Sequence, residues 1–178
     1  MGTVRYIDFR APHSISPAER AYQLYCEASA IDEDPPRWAE AERLYRCALE
    51  LNPRRAGARV NLGNMRFKTR RTSEAHLEYE QALIDDPGCP EAHYNLGFLF
   101  LERGQPRQAI GCFLQAIKLD NTHADAYFNC GMALESDGDP HTARWHWKKY
   151  LALEPTGTYA QIARAHLAEA AGGPYVRD

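Results

Sequence analysis

The sequence predicts an all-α fold built from a stack of similar helix pairs, because three sets of residues recur every 34 positions. Alanine stands at positions 41, 75, 109 and 143. Four residues later each copy has a large aromatic residue: Tyr45, Tyr79, Phe113 and Trp147. The third set is aliphatic: Leu49, Leu83, Ile117 and Leu151. A fixed period of this length is typical of an α-solenoid, whose stacked units form a long surface for binding.

The third unit shows most clearly why each unit is a pair of helices. The segment from Glu91 to Glu102 has apolar residues at helical spacing, and Gly104 interrupts it. Pro106 suits the first turn of a second helix, which we expect to run to Leu119. One apolar stripe follows this second helix: Ala109, Phe113, Ala116 and Ile117. A stripe of this kind indicates that the face is buried.

Small residues on the first helices complement large residues on the second. Gly63, Gly97 and Gly131 allow the two helices of a unit to approach closely, and the aromatic column fills the space beside them.

The two ends of the chain have signals of their own. Ser16-Pro17-Ala18-Glu19 predicts a capping box that starts a helix. Residues 158–171 are expected to form a closing helix whose small apolar residues cover the last unit. We expect flexible segments at 1–15 and 172–178.

These residues carry a family resemblance. The Leu-Gly pairs at 62–63 and 96–97, the Cys130-Gly131 pair and the alanine-x3-aromatic spacing resemble the tetratricopeptide repeat, or TPR. The matching prolines are Pro53, Pro87 and Pro155, with Asn121 in the third unit. The resemblance implies a right-handed α-solenoid of about four TPR helix-turn-helix repeats, at 22–55, 56–89, 90–123 and 124–157, plus a C-terminal capping helix. The TPR domain would span 16–171.

The chain departs from the family pattern in places, among them the first repeat, which has Ala28-Ser29 for Leu-Gly and Asp32 to Pro36 in place of a glycine-containing turn. Arg59 and Arg66 occupy positions where the pattern expects large aromatic residues, and Tyr150 replaces an alanine of the other units. A buried arginine requires a carboxylate partner, for which Glu42 is a candidate.

In this family the first helix of each pair lines the concave groove, so the resemblance places one column of asparagines there: Asn61, Asn95 and Asn129. An amide both donates and accepts hydrogen bonds, so this column can bind the N–H and C=O groups of an extended peptide. A similar asparagine ladder occurs in the O-linked N-acetylglucosamine transferases. The alternative interpretation is that the asparagines belong to the family consensus and stabilise packing between helices.

Two flanking columns give the expected groove an apolar and aromatic character. They comprise Val60, Tyr94 and Phe128 before the asparagines, and Asn64, Phe98 and Met132 after them. Exposed aromatic residues and methionine are typical peptide anchors, although some of these rings could instead pack against neighbouring units. The chaperone-binding members of the family use a clamp of lysines and an arginine, and the corresponding columns here hold Cys26, Val60 and Glu91. We therefore do not expect capture of an EEVD-like tail.

Charge suggests a second surface. The 178-residue chain has a net charge of −3, which argues against general affinity for nucleic acids. Between 54 and 71 there are only basic charges. An acidic partner could meet Arg59, Arg66, Lys68, Arg70 and Arg71, although a solvated face would look the same. The acidic residues near the other end also suggest head-to-tail self-association.

Nothing in the sequence predicts catalysis, a metal site or a cofactor. His141 and His146 do not share a helix face, and no catalytic or nucleotide-binding motif is present. The five cysteines form no C-x-x-C pair, which favours a reducing, cytoplasmic setting. No apolar run approaches the roughly 18 residues that a membrane-crossing helix needs.

We therefore predict a non-enzymatic adaptor that binds a peptide segment of a partner protein in its concave groove. Alternatives are the TPR part of a bacterial regulator and a self-assembling scaffold.

Overall fold

The computed structural model describes residues 15–172, and all of the regular structure in this range is helical. The nine α-helices are α1 Pro17–Ser29, α2 Trp38–Leu51, α3 Ala56–Lys68, α4 Thr72–Asp85, α5 Pro90–Glu102, α6 Pro106–Leu119, α7 Ala124–Ser136, α8 Pro140–Leu153 and α9 Thr158–Gly172. A short 3-10 helix, Pro35–Arg37, precedes α2. The predicted all-α fold of helix pairs is confirmed. Most of the two segments expected to be flexible, residues 1–14 and 173–178, lies outside the described residues.

The chain divides into two compact units, Met1–Pro53 and Arg54–Asp178. The first contains the pair α1–α2. The Ser16 hydroxyl accepts from Glu19 N (3.1 Å) and the Glu19 carboxylate accepts from Ser16 N (2.7 Å), so the predicted capping box is present. Tyr45 is fully buried, and its hydroxyl donates to Asp32 Oδ2 at 2.5 Å. An apolar interface and the hydrogen bond between Tyr45 and Asp32 thus hold the pair together.

The second unit contains the pairs α3–α4, α5–α6 and α7–α8, followed by α9, and each helix packs against the next. In every pair a glycine of the first helix faces an aromatic ring of the second. A Cβ added at Gly97 would lie 2.9 Å from the Phe113 ring, and one at Gly131 would lie 2.8 Å from the Trp147 ring. The predicted close approach of the backbones is therefore present, and it leaves no room for a side chain.

The turn inside each of these pairs repeats one backbone pattern. Gly104 and Gly138 have φ values of 68° and 85°, and Arg70 adopts 65° at the equivalent place in the first turn. In each turn the next amide donates back to the preceding helix, as from Gln105 N to Phe100 O at 2.9 Å. The α3–α4 turn keeps the same conformation although arginine is less favourable than glycine at a left-handed position.

Helix α9 closes the second unit. Ala160 and Ala163 are fully buried against the core that includes Trp147. The His166 ring stacks on Trp147 with centroids 5.0 Å apart, and its Nδ1 lies 2.7 Å from Glu135 Oε2. The polar and aromatic contacts together fix the position of α9 on the last pair.

Candidate functional site

The first helices of the second unit, α3, α5 and α7, are joined by hydrogen bonds between asparagine and tyrosine side chains. Asn95 Nδ2 donates to Asn64 Oδ1 at 2.9 Å, and the Tyr79 hydroxyl donates to the same oxygen at 2.7 Å. Asn129 Nδ2 donates to the Tyr94 hydroxyl at 3.0 Å. These bonds are the packing role that the alternative interpretation assigned to the asparagines, and they involve only part of each amide.

The remaining amide atoms are available for a ligand. Among the described residues, no hydrogen bond reaches Nδ2 of Asn64 or Oδ1 of Asn95 and Asn129, and none of these atoms is a buried orphan. All three side chains are half-buried, as is Asn61. The face therefore presents both donors and acceptors whose positions are fixed by bonds between the repeats. A fixed amide loses little side-chain entropy when it binds a ligand.

The aromatic residues beside the asparagines are less exposed than an open groove would require. Tyr94 is half-buried and lies against the His123 ring, with centroids 4.6 Å apart. Phe98 is half-buried and meets Phe67 edge-on at 5.7 Å. Met132 is also half-buried. These side chains form a partly covered apolar floor, from which we expect contact with a ligand on one side only.

Val60 and Phe128 belong to the core rather than to this floor. Val60 is 4% exposed and Phe128 is 9% exposed. The Phe128 ring lies within 5.2 Å, between centroids, of Trp147, Tyr150 and Tyr159. The sequence left open that such rings pack against neighbouring units, but the repeated pattern did not indicate the contact with Tyr159, which comes from α9.

Arg59 and Arg66 lie at the α3–α4 interface, where α4 supplies their carboxylates. Arg59 Nε is 2.5 Å from Asp85 Oδ2, and its Nη1 is 3.3 Å from Glu78 Oε2. Arg66 Nη1 is 2.8 Å from Glu78 Oε1, and Glu74 lies 3.6 Å away. The Glu78 side chain is only 14% exposed. The carboxylates of α4 neutralise the positive charge of both arginines inside the unit. The two arginines therefore stabilise the packing of α3 on α4 and are weak candidates for binding an acidic partner.

The rest of the predicted basic patch surrounds a shallow cavity of about 440 Å³ between α3 and α5. Lys68 and Arg70 line it together with Arg103, and Glu102 contributes the opposite charge. Arg71 stands between two lining residues, Arg70 and Thr72, in the chain, and its Nη1 is 3.9 Å from Glu74. Three cationic side chains and one carboxylate therefore line this cavity, and the acidic partner for this patch stays a prediction.

A second cavity of about 450 Å³ lies where the start of α7, the end of α8 and the start of α9 meet. Its lining includes His123, Asp125, Tyr150, Glu154 and Tyr159. No motif or column of the sequence predicted a site here. The one available signal was Tyr150, which stands where the other repeats have alanine.

Two cysteines and a histidine inside the second unit pack as neutral groups. Burial raises the pKa of Cys112 to about 11 and that of Cys130 to about 12, so both thiols stay protonated. Burial lowers the pKa of His146 to about 4, and its Nε2 lies 3.8 Å from Cys130 Sγ. Within residues 15–172, no three His, Cys, Asp or Glu side chains are grouped in a way that could hold a metal ion. No described helix is long and apolar enough to cross a membrane.

Successive helix pairs, with a glycine-to-aromatic contact in each pair of the second unit, define a helical-repeat protein. Three family models, each described as a tetratricopeptide repeat, match residues 90–123, 112–144, and 37–78 with 66–104. The chain belongs to the tetratricopeptide repeat family. Members of this family are typically non-catalytic modules for protein–protein interaction.

Solved structures share this fold. YrrB, described as a TPR protein with an unusual peptide-binding site, has a TM-score of 0.66 and 23% identity, covering 82% of this chain and 77% of that one. PilF from Pseudomonas aeruginosa has a TM-score of 0.72 and 19% identity, covering 88% and 79%. The first TPR of Spaghetti (RPAP3), bound to the HSP90 peptide SRMEEVD, has a TM-score of 0.63 and 22% identity, covering 66% and 94%. No curated protein sequence gives a significant match.

Proposed function

We propose that this chain is a non-enzymatic adaptor whose second unit binds an extended peptide segment of a partner protein along α3, α5 and α7. The observation that carries this proposal is the set of amide atoms of Asn64, Asn95 and Asn129 that the hydrogen bonds between repeats leave unused. A peptide backbone offers alternating N–H and C=O groups, which match one free donor and two free acceptors. The peptide-binding site described for YrrB and the peptide bound to RPAP3 support the proposal by analogy of fold.

The half-buried apolar floor fits this mode of binding. Tyr94, Phe98 and Met132 would contact side chains of the peptide from one side, while the amides bind its backbone. Because the backbone contacts do not depend on the peptide sequence, selectivity would come from the floor and from cavities beside it. The alternatives are the TPR part of a bacterial regulator and a self-assembling scaffold.

The test is binding of the full chain to an array of acetylated 12-residue peptides. The variant Asn64→Ala/Asn95→Ala/Asn129→Ala should bind the selected peptides about tenfold or more weakly, since each lost hydrogen bond is worth about 0.5–1.5 kcal/mol. Asn52→Ala, a change in the first unit, is the matched control. Unfolding curves for each variant show whether the repeats remain intact.

A second measurement does not depend on the stability of a variant. Each selected peptide is resynthesised with N-methyl groups at alternate residues, which removes backbone donors and leaves every side chain in place. Wild-type protein should bind the methylated peptide at least tenfold more weakly in one of the two registers. Equal affinity for all three peptides would show that the amides do not bind the backbone. Light scattering at the same concentrations separates peptide binding from self-association.

A further inference from the structure

Tyr150 departs from the repeat pattern, and the peptide site proposed along α3, α5 and α7 does not account for it. The equivalent residues in the other pairs, Ala48, Ala82 and Ala116, are fully buried and small. Tyr150 is 3% exposed, yet it lines the cavity at the junction of α7, α8 and α9. Its hydroxyl has no hydrogen bond within the described residues and is not a buried orphan. A phenol has thus been placed so that its polar end faces an open cavity.

Two carboxylates lie at the same cavity without a cationic partner. Asp125 and Glu154 line it, and neither forms an ion pair within residues 15–172. No lysine or arginine is among the lining residues. Arg164, on α9, instead donates from Nη2 to the Pro155 carbonyl at 2.5 Å. The cavity therefore has a local excess of negative charge.

Burial and the negative charge of these carboxylates raise the pKa of two nearby tyrosines, Tyr150 and Tyr94. Burial raises the pKa of Tyr150, and Asp125 and Glu154 raise it further. Burial also raises the pKa of Tyr94 to about 12, and Asp125 adds to this effect. Both phenols stay neutral, and each can accept a hydrogen bond from a cation. Tyr94 lies against the His123 ring, which lines the cavity, and its hydroxyl accepts a hydrogen bond from Asn129, so the cavity lies next to the asparagines.

We infer that this cavity binds a lysine or arginine side chain of the peptide held along α3, α5 and α7, so that it selects partners with a basic residue at one position. The inference rests on the proposed function. The carboxylates of Asp125 and Glu154 pair with the cation, the Tyr150 hydroxyl accepts one of its N–H groups, and the Tyr159 ring, 58% exposed, covers it through a cation–π contact. A volume of about 450 Å³ has room for either side chain.

The alternative is that this cavity binds an anion instead of a cation. The cavity also adjoins the N-termini of α7 and α9, whose free amides attract anions. Asp125 lies in the first turn of α7 and already places a carboxylate at one of these ends. The two unpaired carboxylates therefore favour a cation over an anion.

The first test uses small probes with the ¹⁵N-labelled full chain: N-acetyl-arginine methylamide, its neutral citrulline analogue and N-acetyl-glutamate methylamide. The arginine probe should shift the amide signals of residues 122–125 and 156–159, and the citrulline probe should not. Asp125→Asn/Glu154→Gln should weaken the arginine probe about tenfold, since each ion pair contributes a few-fold. Tyr150→Phe should weaken it a few-fold without changing stability.

A matched control variant removes two exposed carboxylates elsewhere in the same unit, Glu80→Gln/Glu102→Gln. It should leave the affinity for the arginine probe unchanged, which shows that net charge is not the cause. Preferential binding of the glutamate probe at these signals would overturn the inference. So would equal affinity of the arginine probe for the wild type and for Asp125→Asn/Glu154→Gln.

The peptide array separates this inference from the proposed function. Replacement of one arginine by citrulline in a selected peptide should weaken binding to the wild type and have no effect on Asp125→Asn/Glu154→Gln. If the wild type binds peptides without a basic preference, only the cavity assignment fails. If no peptide binds while the arginine probe still does, only the peptide groove fails.

Discussion

Replacement of Gly97 by alanine tests the packing rule that holds each helix pair together. The new Cβ would lie 2.9 Å from Phe113 Cε1 and 3.0 Å from Cys112 Cβ, whereas ordinary contacts begin near 3.4 Å. Phe113 is fully buried, so the ring has little freedom to move. Overpacking of this kind costs about 1–3 kcal/mol, and the better helix propensity of alanine returns about 1 kcal/mol.

The same helix pair offers a control. Gly111 lies in α6, and a Cβ added there would meet nothing within 4 Å. Gly111→Ala gains the propensity and suffers no overlap, so it should stabilise the chain by up to about 1 kcal/mol. Because the propensity contribution is common to both variants, the difference between their unfolding free energies isolates the overlap, and we expect about 1–3 kcal/mol.

The assay is urea unfolding followed by circular dichroism, with the slope of the transition compared between variants. Adding Phe113→Leu to Gly97→Ala should recover part of the loss, because the shorter side chain relieves the overlap. The double-mutant cycle would then show coupling between the two sites. If Gly97→Ala stabilises the chain as much as Gly111→Ala does, the close-packing argument is wrong.

Three further predictions concern charged and titratable groups of the second unit. Glu78→Gln should reduce the unfolding free energy by about 1–3 kcal/mol, because two partly buried arginines lose a shared carboxylate; Glu80→Gln, at an exposed site, should change it little. Because the pKa of His146 is lowered from 6.5 to about 4, the unfolded chain binds the proton more readily. Stability should fall by up to about 3 kcal/mol from pH 6.5 to 4, and urea midpoints for His146→Leu should show a flatter dependence. His166→Ala removes the contact with Glu135, so amide exchange in α9 should accelerate; unchanged exchange would contradict the role given to this contact.

The fold was readable from sequence because its determinants are local and repeated. A helix pair needs a turn between its helices and an apolar face on each, and both features lie within one unit of 34 residues. Gly97 and Phe113 could be paired from their columns alone, since the same small-to-large contact recurs in other copies. Repetition provides several independent instances of one contact, which a single sequence otherwise lacks.

The candidate site could be predicted only in part, because the hydrogen bonds and burial of its residues depend on contacts between different columns of the repeat. The asparagines could be assigned to one face, but their bonds to Asn64 and to Tyr94 depend on the distance between successive repeats. Phe128 was expected to line the groove, and it is buried by Trp147 and Tyr150 of α8 and by Tyr159 of α9, of which only the last lies outside the repeats.

The sequence by itself determined the helix pairs and the packing of glycine against aromatic rings, since period and residue size suffice for both. Only the tertiary structure decided how polar groups are matched. Arg59 and Arg66 are neutralised by carboxylates of α4, whereas Asp125 and Glu154 have no cation in the described part of the chain. The physical reason is that a charged side chain is neutralised only by an opposite charge within about 4 Å. Whether such a neighbour is present depends on the packing of helices that are distant in sequence.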